Sequence, residues 1–248
     1  MALWIQAGLW GLLAGGALLI GAFLGYAFSI PKRKLTGIMA FGGGVLISAL
    51  CFELVIPAYE ASGLLPMAIG FLFGGIVYSY SNYRLSKVGA SRRMCADGRE
   101  EEIEREGSGT AIAVGALLDG IPESMAIGLT VVTGHVSIAA VIAIFISNIP
   151  EGISSAAGMK QSGRKPRYIF GIWGGIAVIS GLASLAGYSL CHNIPMALQA
   201  GIMASAAGAI LTMLANTMIP EAFKGSKDWT GLIMCIGFLI AFSISKLV

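Results

Sequence analysis

Charge is what this chain has least of. Asp, Glu, Lys and Arg make up 12% of its 248 residues, about half the share of an ordinary soluble domain. Apolar residues reach 56% and mean hydropathy is +0.81. A soluble globule of this composition would be covered in exposed apolar patches, so water is excluded as the solvent for most of the chain. Histidine is nearly absent, with two in the whole sequence, which leaves little imidazole for metal or acid–base chemistry. Four cysteines in separate regions make no disulfide framework. No phosphate-cradling Gly-rich motif is present, so direct drive by ATP is not expected. The N-terminus lacks a basic region before its first apolar run, and that run is too long for a secretory signal, so no cleaved leader is expected. The scarcity of charge also argues against nucleic-acid binding and soluble catalysis. Glycine, by contrast, is abundant at 35 residues, which suits close helix contact in a membrane.

A spanning helix needs about 20 largely apolar residues. Eight stretches qualify, at roughly 3–30, 35–58, 62–83, 109–132, 136–159, 168–190, 195–222 and 229–247. The one long connection, 84–108, carries six basic and six acidic residues and reads as a charged cytoplasmic loop. A short helix around Glu100–Glu106 is an option within it. Lys and Arg fix the orientation. Lys32, Arg33 and Lys34 fall in the first loop, Arg84 to Arg105 in the third, Lys160 to Arg167 in the fifth, and Lys224 and Lys227 in the seventh. That puts 15 of 16 basic residues on one side, with Lys246 alone on the other, as eight spans with both termini extracytoplasmic require. The run at 32–34 reads as a topology signal, with binding of anionic lipid head groups as the alternative. GxxxG spacings at Gly11/Gly15, Gly21/Gly25, Gly70/Gly74 and Gly171/Gly175 predict a tight bundle.

Against this background five acids stand inside apparent spans: Glu53, Asp119, Glu123, Glu151 and Glu221. Each costs about 2.5–3.5 kcal/mol at a helix centre on insertion scales, and no Lys or Arg lies near mid-membrane to pair with them. Either the carboxyls are protonated or they face a cavity that holds water and cations. Spacing favours the cavity. Asp119 and Glu123 share a face at i,i+4, as do Ser147 and Glu151, with Asn148 three before Glu151. Pro122 and Pro150 fall beside these carboxyls. A kinked, partly opened turn is expected at each, offering the Leu118 and Ile146 carbonyls as further oxygens. Glu53 is placed roughly 10 Å toward the exterior by helix rise, and Asn216 and Glu221 toward the cytoplasm, completing a ladder of oxygen ligands. A Pro-Glu motif recurs at Pro122-Glu123, Pro150-Glu151 and Pro220-Glu221. Aligning Pro57 with Pro220 sets Glu53 opposite Asn216. This suggests an inverted repeat of helices 1–3 and 6–8 around helices 4–5.

These motifs resemble the ZIP family of divalent-metal transporters. The family's fourth-span motif corresponds to Asp119-Gly120-Ile121-Pro122-Glu123-Ser124, and its fifth-span motif to Ser147-Asn148-Ile149-Pro150-Glu151-Gly152. A seventh-span motif corresponds to Thr217-Met218-Ile219-Pro220-Glu221-Ala222. The resemblance implies an all-α membrane protein of eight transmembrane helices in a compact bundle, forming one transport domain over 1–248 in the inner or plasma membrane. It implies transport of divalent metal toward the cytoplasm, with no permanently bound cofactor and no enzymatic activity. Asp119, Glu123 and Glu151 would ligate one metal, and Asn148 with the same glutamates a second. Zinc is the family default. Here, however, the motif histidine is Asp119, its asparagine is Gly120, and the fifth-span His or Gln is Ser147, so the donors are all oxygen. That raises manganese or ferrous iron, and puts the second metal in question.

Blander readings stand beside these. The central carboxyls could be protonated bridges between helices. Glu53 and Glu221 could be structural, and Ser147 could bond its own helix carbonyl. Cys51, Met125 and Met159 read as packing, and His135 as a solvated turn residue. His192-Asn193-Ile194-Pro195 reads as a decoy in which Asn193 caps the next helix. The expected partners are divalent metal ions and membrane lipid, with a homodimer an open alternative and nucleic acid excluded. The rival function is a proton-linked carrier of a small organic solute, with the same carboxyls as the relay. A third reading, an intramembrane enzyme, needs a nucleophile and base pair, and Ser147 has no facing histidine.

Overall fold

The computed structural model describes residues 2–87, 108–132, 134, 136–225 and 228–247. Eight helices in it are long and apolar enough to cross a membrane. In chain order they are α1 (Leu3–Ala27), α2 (Lys32–Ser62), α3 (Leu64–Lys87), α4 (Ser108–Val132), α5 (Ile138–Gln161), α6 (Pro166–Cys191), α7 (Met196–Phe223) and α8 (Thr230–Leu247). No strand occurs among the described residues. The chain is therefore an all-α, membrane-embedded protein. The charged stretch Glu100–Glu106, His135 and Lys227 lie outside the described residues.

The helices run further into the basic segments than apolar content alone predicts. Lys32, Arg33 and Lys34 form the first turn of α2 rather than a loop, behind Pro31 at the N-cap. Arg84 and Lys87 occupy the last turn of α3, where cations offset the helix dipole. Long basic side chains can reach water from within a helix end, so the charge does not mark where the helix stops. Asn193 does not cap α7. Pro195 is the N-cap and no side chain caps there, while the Gln199 amide donates to the Ile194 carbonyl at 2.9 Å.

Prolines act elsewhere than expected. α4 and α5 stay α-helical through Pro122 and Pro150. The irregular backbone lies in α2 and α7, as π-helical stretches at Leu50–Val55 and Leu214–Met218. Each ends immediately before an Ile-Pro pair. Ile56 N–H donates to the Cys51 carbonyl and Ile219 N–H to the Leu214 carbonyl, both five residues back. Pro57 and Pro220 cannot donate and crowd the carbonyl four back. Widening the preceding turn relieves that crowding.

α4 and α5 form the interior. In their apolar windows 67% and 72% of residues are buried, against 17% in α3 and in α8. α5 packs chiefly on α1 and α2, and α4 chiefly on α6, while α1 also packs on α6. α2 pairs with α8, and α3 with α7. α4 and α5, although consecutive, touch each other far less than they touch these partners.

Glycine sets the helix distances. A Cβ on Gly70 or Gly74 would drive into the α7 carbonyls of Gly201 and Ser205, and one on Gly21 or Gly25 into the α5 carbonyls of Ile149 and Ile153. Gly11 and Gly15 meet Ser184 and Ser180 of α6 in the same way. The fourth pair, Gly171 and Gly175, has nothing within 4 Å and makes no such contact. Gly74→Ala should therefore cost about 1–3 kcal/mol by overpacking. Gly171→Ala should leave stability unchanged or slightly raised, since alanine is the better helix former. Thermal melting of the two variants in detergent checks this, and equal melting temperatures would contradict it.

Candidate functional site

The interior helices carry the acids. Asp119 and Glu123 lie one turn apart on α4 and are 1% and 2% exposed. Burying two carboxyls on one face of one membrane helix is costly. Asp119 Oδ1 accepts a hydrogen bond from the hydroxyl of Tyr78 on α3. Glu123 Oε2 is buried and has no hydrogen-bond partner among the described residues. A buried carboxyl oxygen without a donor forfeits its hydration with no return.

α5 supplies the facing polar groups. Ser147, Asn148 and Glu151 are all buried. The Ser147 hydroxyl donates to the Ile144 carbonyl at 2.9 Å, the structural alternative for this residue. Its oxygen still has lone pairs, but its proton is committed to its own helix. The Asn148 amide nitrogen donates to the Ala14 carbonyl of α1 at 3.0 Å. That bond fixes the side chain between α5 and α1 and leaves its oxygen as the acceptor end. Ser154 and Ser155 extend the polar face one turn beyond Glu151.

Not all of the expected ligands converge. Asp119 meets Tyr78 and shares its α4 face with Glu123, whereas Ser147, Asn148 and Glu151 form a second row on α5. Among the described residues no group of three or more His, Cys, Asp or Glu side chains gathers closely enough to hold a metal ion.

The outlying acids are satisfied by the protein. Glu53 lies in the π-helical stretch of α2. Its Oε2 accepts from the Ser137 hydroxyl at 2.6 Å and its Oε1 from the Ser245 hydroxyl at 2.5 Å. Ser137 also caps α5, accepting from Ala140 N–H at 3.0 Å. Glu53 thus ties α2 to the start of α5 and the end of α8. Glu221, also buried, is paired with Lys224 at 2.5 Å. The sequence, with no base near mid-membrane, predicts no ion pair for any of the five acids. For Glu221 it forms, because the last turn of α7 brings the half-exposed Lys224 back over it. Asn216 is exposed on the π-helical stretch of α7.

The residues set aside as packing behave so. Met159 is buried in the cluster around Trp173, and Cys51 packs against the main core. Met125 presents its backbone to Gly187. His192 stacks on Tyr188 at 5.2 Å, away from the acids.

The chain matches no family model and no curated protein. The site must be read from its own residues. Sequence reasoning missed Tyr78, Ser137, Ser245 and Lys224, all hydrogen-bond donors to the acids it had singled out. Tyr78 carried a signal: a tyrosine within a span must find an acceptor for its hydroxyl once buried. The serines carried none, because a serine in a helix usually satisfies itself on the preceding turn.

Ser137 does two jobs and Ser245 one. Ser137→Ala loses a bond to a carboxylate and a helix cap, the latter worth about 1 kcal/mol. Ser245→Ala loses only the bond to Glu53. Melting curves should show the larger loss in Ser137→Ala by about that margin; equal losses, or a larger one in Ser245→Ala, would contradict the assignment.

Proposed function

We propose that this chain carries divalent metal ions across a membrane, toward the cytoplasm, through a carboxylate-lined passage between α4 and α5. The observation that carries the reading is Glu123: a carboxyl buried inside a membrane bundle, one turn from Asp119, with an oxygen that no donor among the described residues meets. A permeating cation would supply what that oxygen lacks. The ZIP-like motifs around Pro122, Pro150 and Pro220 support the same class of cargo.

In this reading Glu53 receives the ion, exchanging the Ser137 and Ser245 hydroxyls for it. Asp119 and Glu123 then strip part of its water. Glu151 and the Asn148 oxygen join them when α4 and α5 close. Glu221 helps release the ion, with Lys224 as the resident cation that takes its place. Several sites of moderate affinity suit passage better than one deep well. The all-oxygen donor set favours manganese or ferrous iron, with zinc the default of the resemblance.

The wider architecture belongs to the same proposal. Both termini lie outside, as the distribution of Lys and Arg requires. Helices 1–3 and 6–8 form inverted repeats around α4 and α5. Two features support the repeat: the π-helical stretches that precede Ile56-Pro57 and Ile219-Pro220, and the matched pairings of α2 with α8 and α7 with α3.

Proteoliposomes offered a panel of zinc, manganese and ferrous ions test the reading. Metal uptake is expected from the native chain, and Asp119→Ala combined with Glu151→Ala should abolish it while the protein remains folded. Proton flux without metal uptake would instead favour a proton-linked carrier of a small organic solute. Undiminished uptake in the double variant would remove the site assignment.

A further inference from the structure

Along α3 three residues are buried, Gly70, Gly74 and Tyr78. They recur every fourth position and so form one stripe. The rest of the helix is largely exposed, as its low buried share shows. The glycines bring α3 against the α7 backbone. One turn further on, the stripe changes character: Tyr78 is 2% exposed, and its hydroxyl leaves the α3–α7 pair to reach Asp119 on α4. Packing alone would be served by phenylalanine, which fills nearly the same volume without a polar atom to satisfy. The hydroxyl is therefore spent on Asp119.

We propose that Tyr78 is a positioning residue of the ion site. It holds one Asp119 oxygen and so fixes the direction in which the carboxylate meets a hard, oxygen-seeking divalent ion such as manganese. The inference rests on the metal-transport reading above. A first ligand left to rotate gives up affinity, and residues that orient metal ligands are worth about 10–100-fold in metal affinity. Because Tyr78 donates a proton it keeps, it acts by orientation rather than by charge. It also links the peripheral α3 to the interior α4, so a displacement of α3 would be felt at Asp119.

The test is manganese uptake into proteoliposomes by the native chain, Tyr78→Phe and Tyr78→His, with melting temperatures measured alongside. Tyr78→Phe is expected to raise KM for manganese about tenfold or more, with maximal rate within about twofold and melting temperature nearly unchanged. Tyr78→His, which keeps an N–H for Asp119, should recover part of the KM. An unchanged KM in Tyr78→Phe overturns this inference alone, as does a fall in melting temperature and maximal rate at constant KM. Failure of both variants to fold overturns it too, because the residue would then be structural. Absence of metal uptake by the native chain overturns it together with the transport reading.

Discussion

Hydrocarbon solvates no carboxylate, so each acid inside this bundle must be met by a donor, a cation or a proton. Four kinds of answer, or lack of one, are visible. Glu53 is met by two serine hydroxyls, Glu221 by the Lys224 ammonium, and Asp119 by the Tyr78 phenol. Glu123 keeps an oxygen that no donor among the described residues meets. The first two acids sit toward the ends of their spans, where polar partners are cheap to place. The pair on α4 lies near the middle of its helix, where a partner costs more to place. Ends met by hydroxyls and an ammonium, with one unmet Glu123 oxygen inside among the described residues, suit the passage we propose, because an ion moves only between sites that can exchange their partners.

What keeps the interior polar is the way the glycines divide the packing. Backbone-to-backbone contact ties α1 to α5, α3 to α7 and α2 to α8, and α4 meets α6 in the same manner at Gly128 and Gly187. Close contact of this kind replaces the hydrophobic drive that lipid removes. It binds α4 and α5 outward, each to its own partners, and leaves little holding them to one another. α4 and α5 are joined instead through α6 and α1, which pack on each other while α4 packs on α6 and α5 on α1.

The spans, their number and the burial of Asp119, Glu123, Ser147, Asn148 and Glu151 were legible in the sequence, because an apolar run of fixed length and an acid within it are local signals. Helix ends were less so: Lys32 and Lys87 belong to helices that apolar content would have closed earlier, because long basic side chains reach water from inside a helix. The prolines misled. Four share similar motifs, yet only Pro57 and Pro220 follow a π-helical stretch, and the packing that decides between a widened turn and a regular one is not written within a few residues. Tyr78 was hidden for a further reason. Its role depends on α3 lying beside α4 at one depth, a contact between residues 41 positions apart, and only the assembled bundle supplies it.

The proposal stands on Glu123 binding a cation. Anomalous scattering from crystals of the full chain soaked in manganese tests it most directly. A manganese peak in contact with Glu123 and Asp119 is the expected result. A map with no peak there, and with the Glu123 carboxyl met entirely by protein donors or turned to lipid, would contradict it.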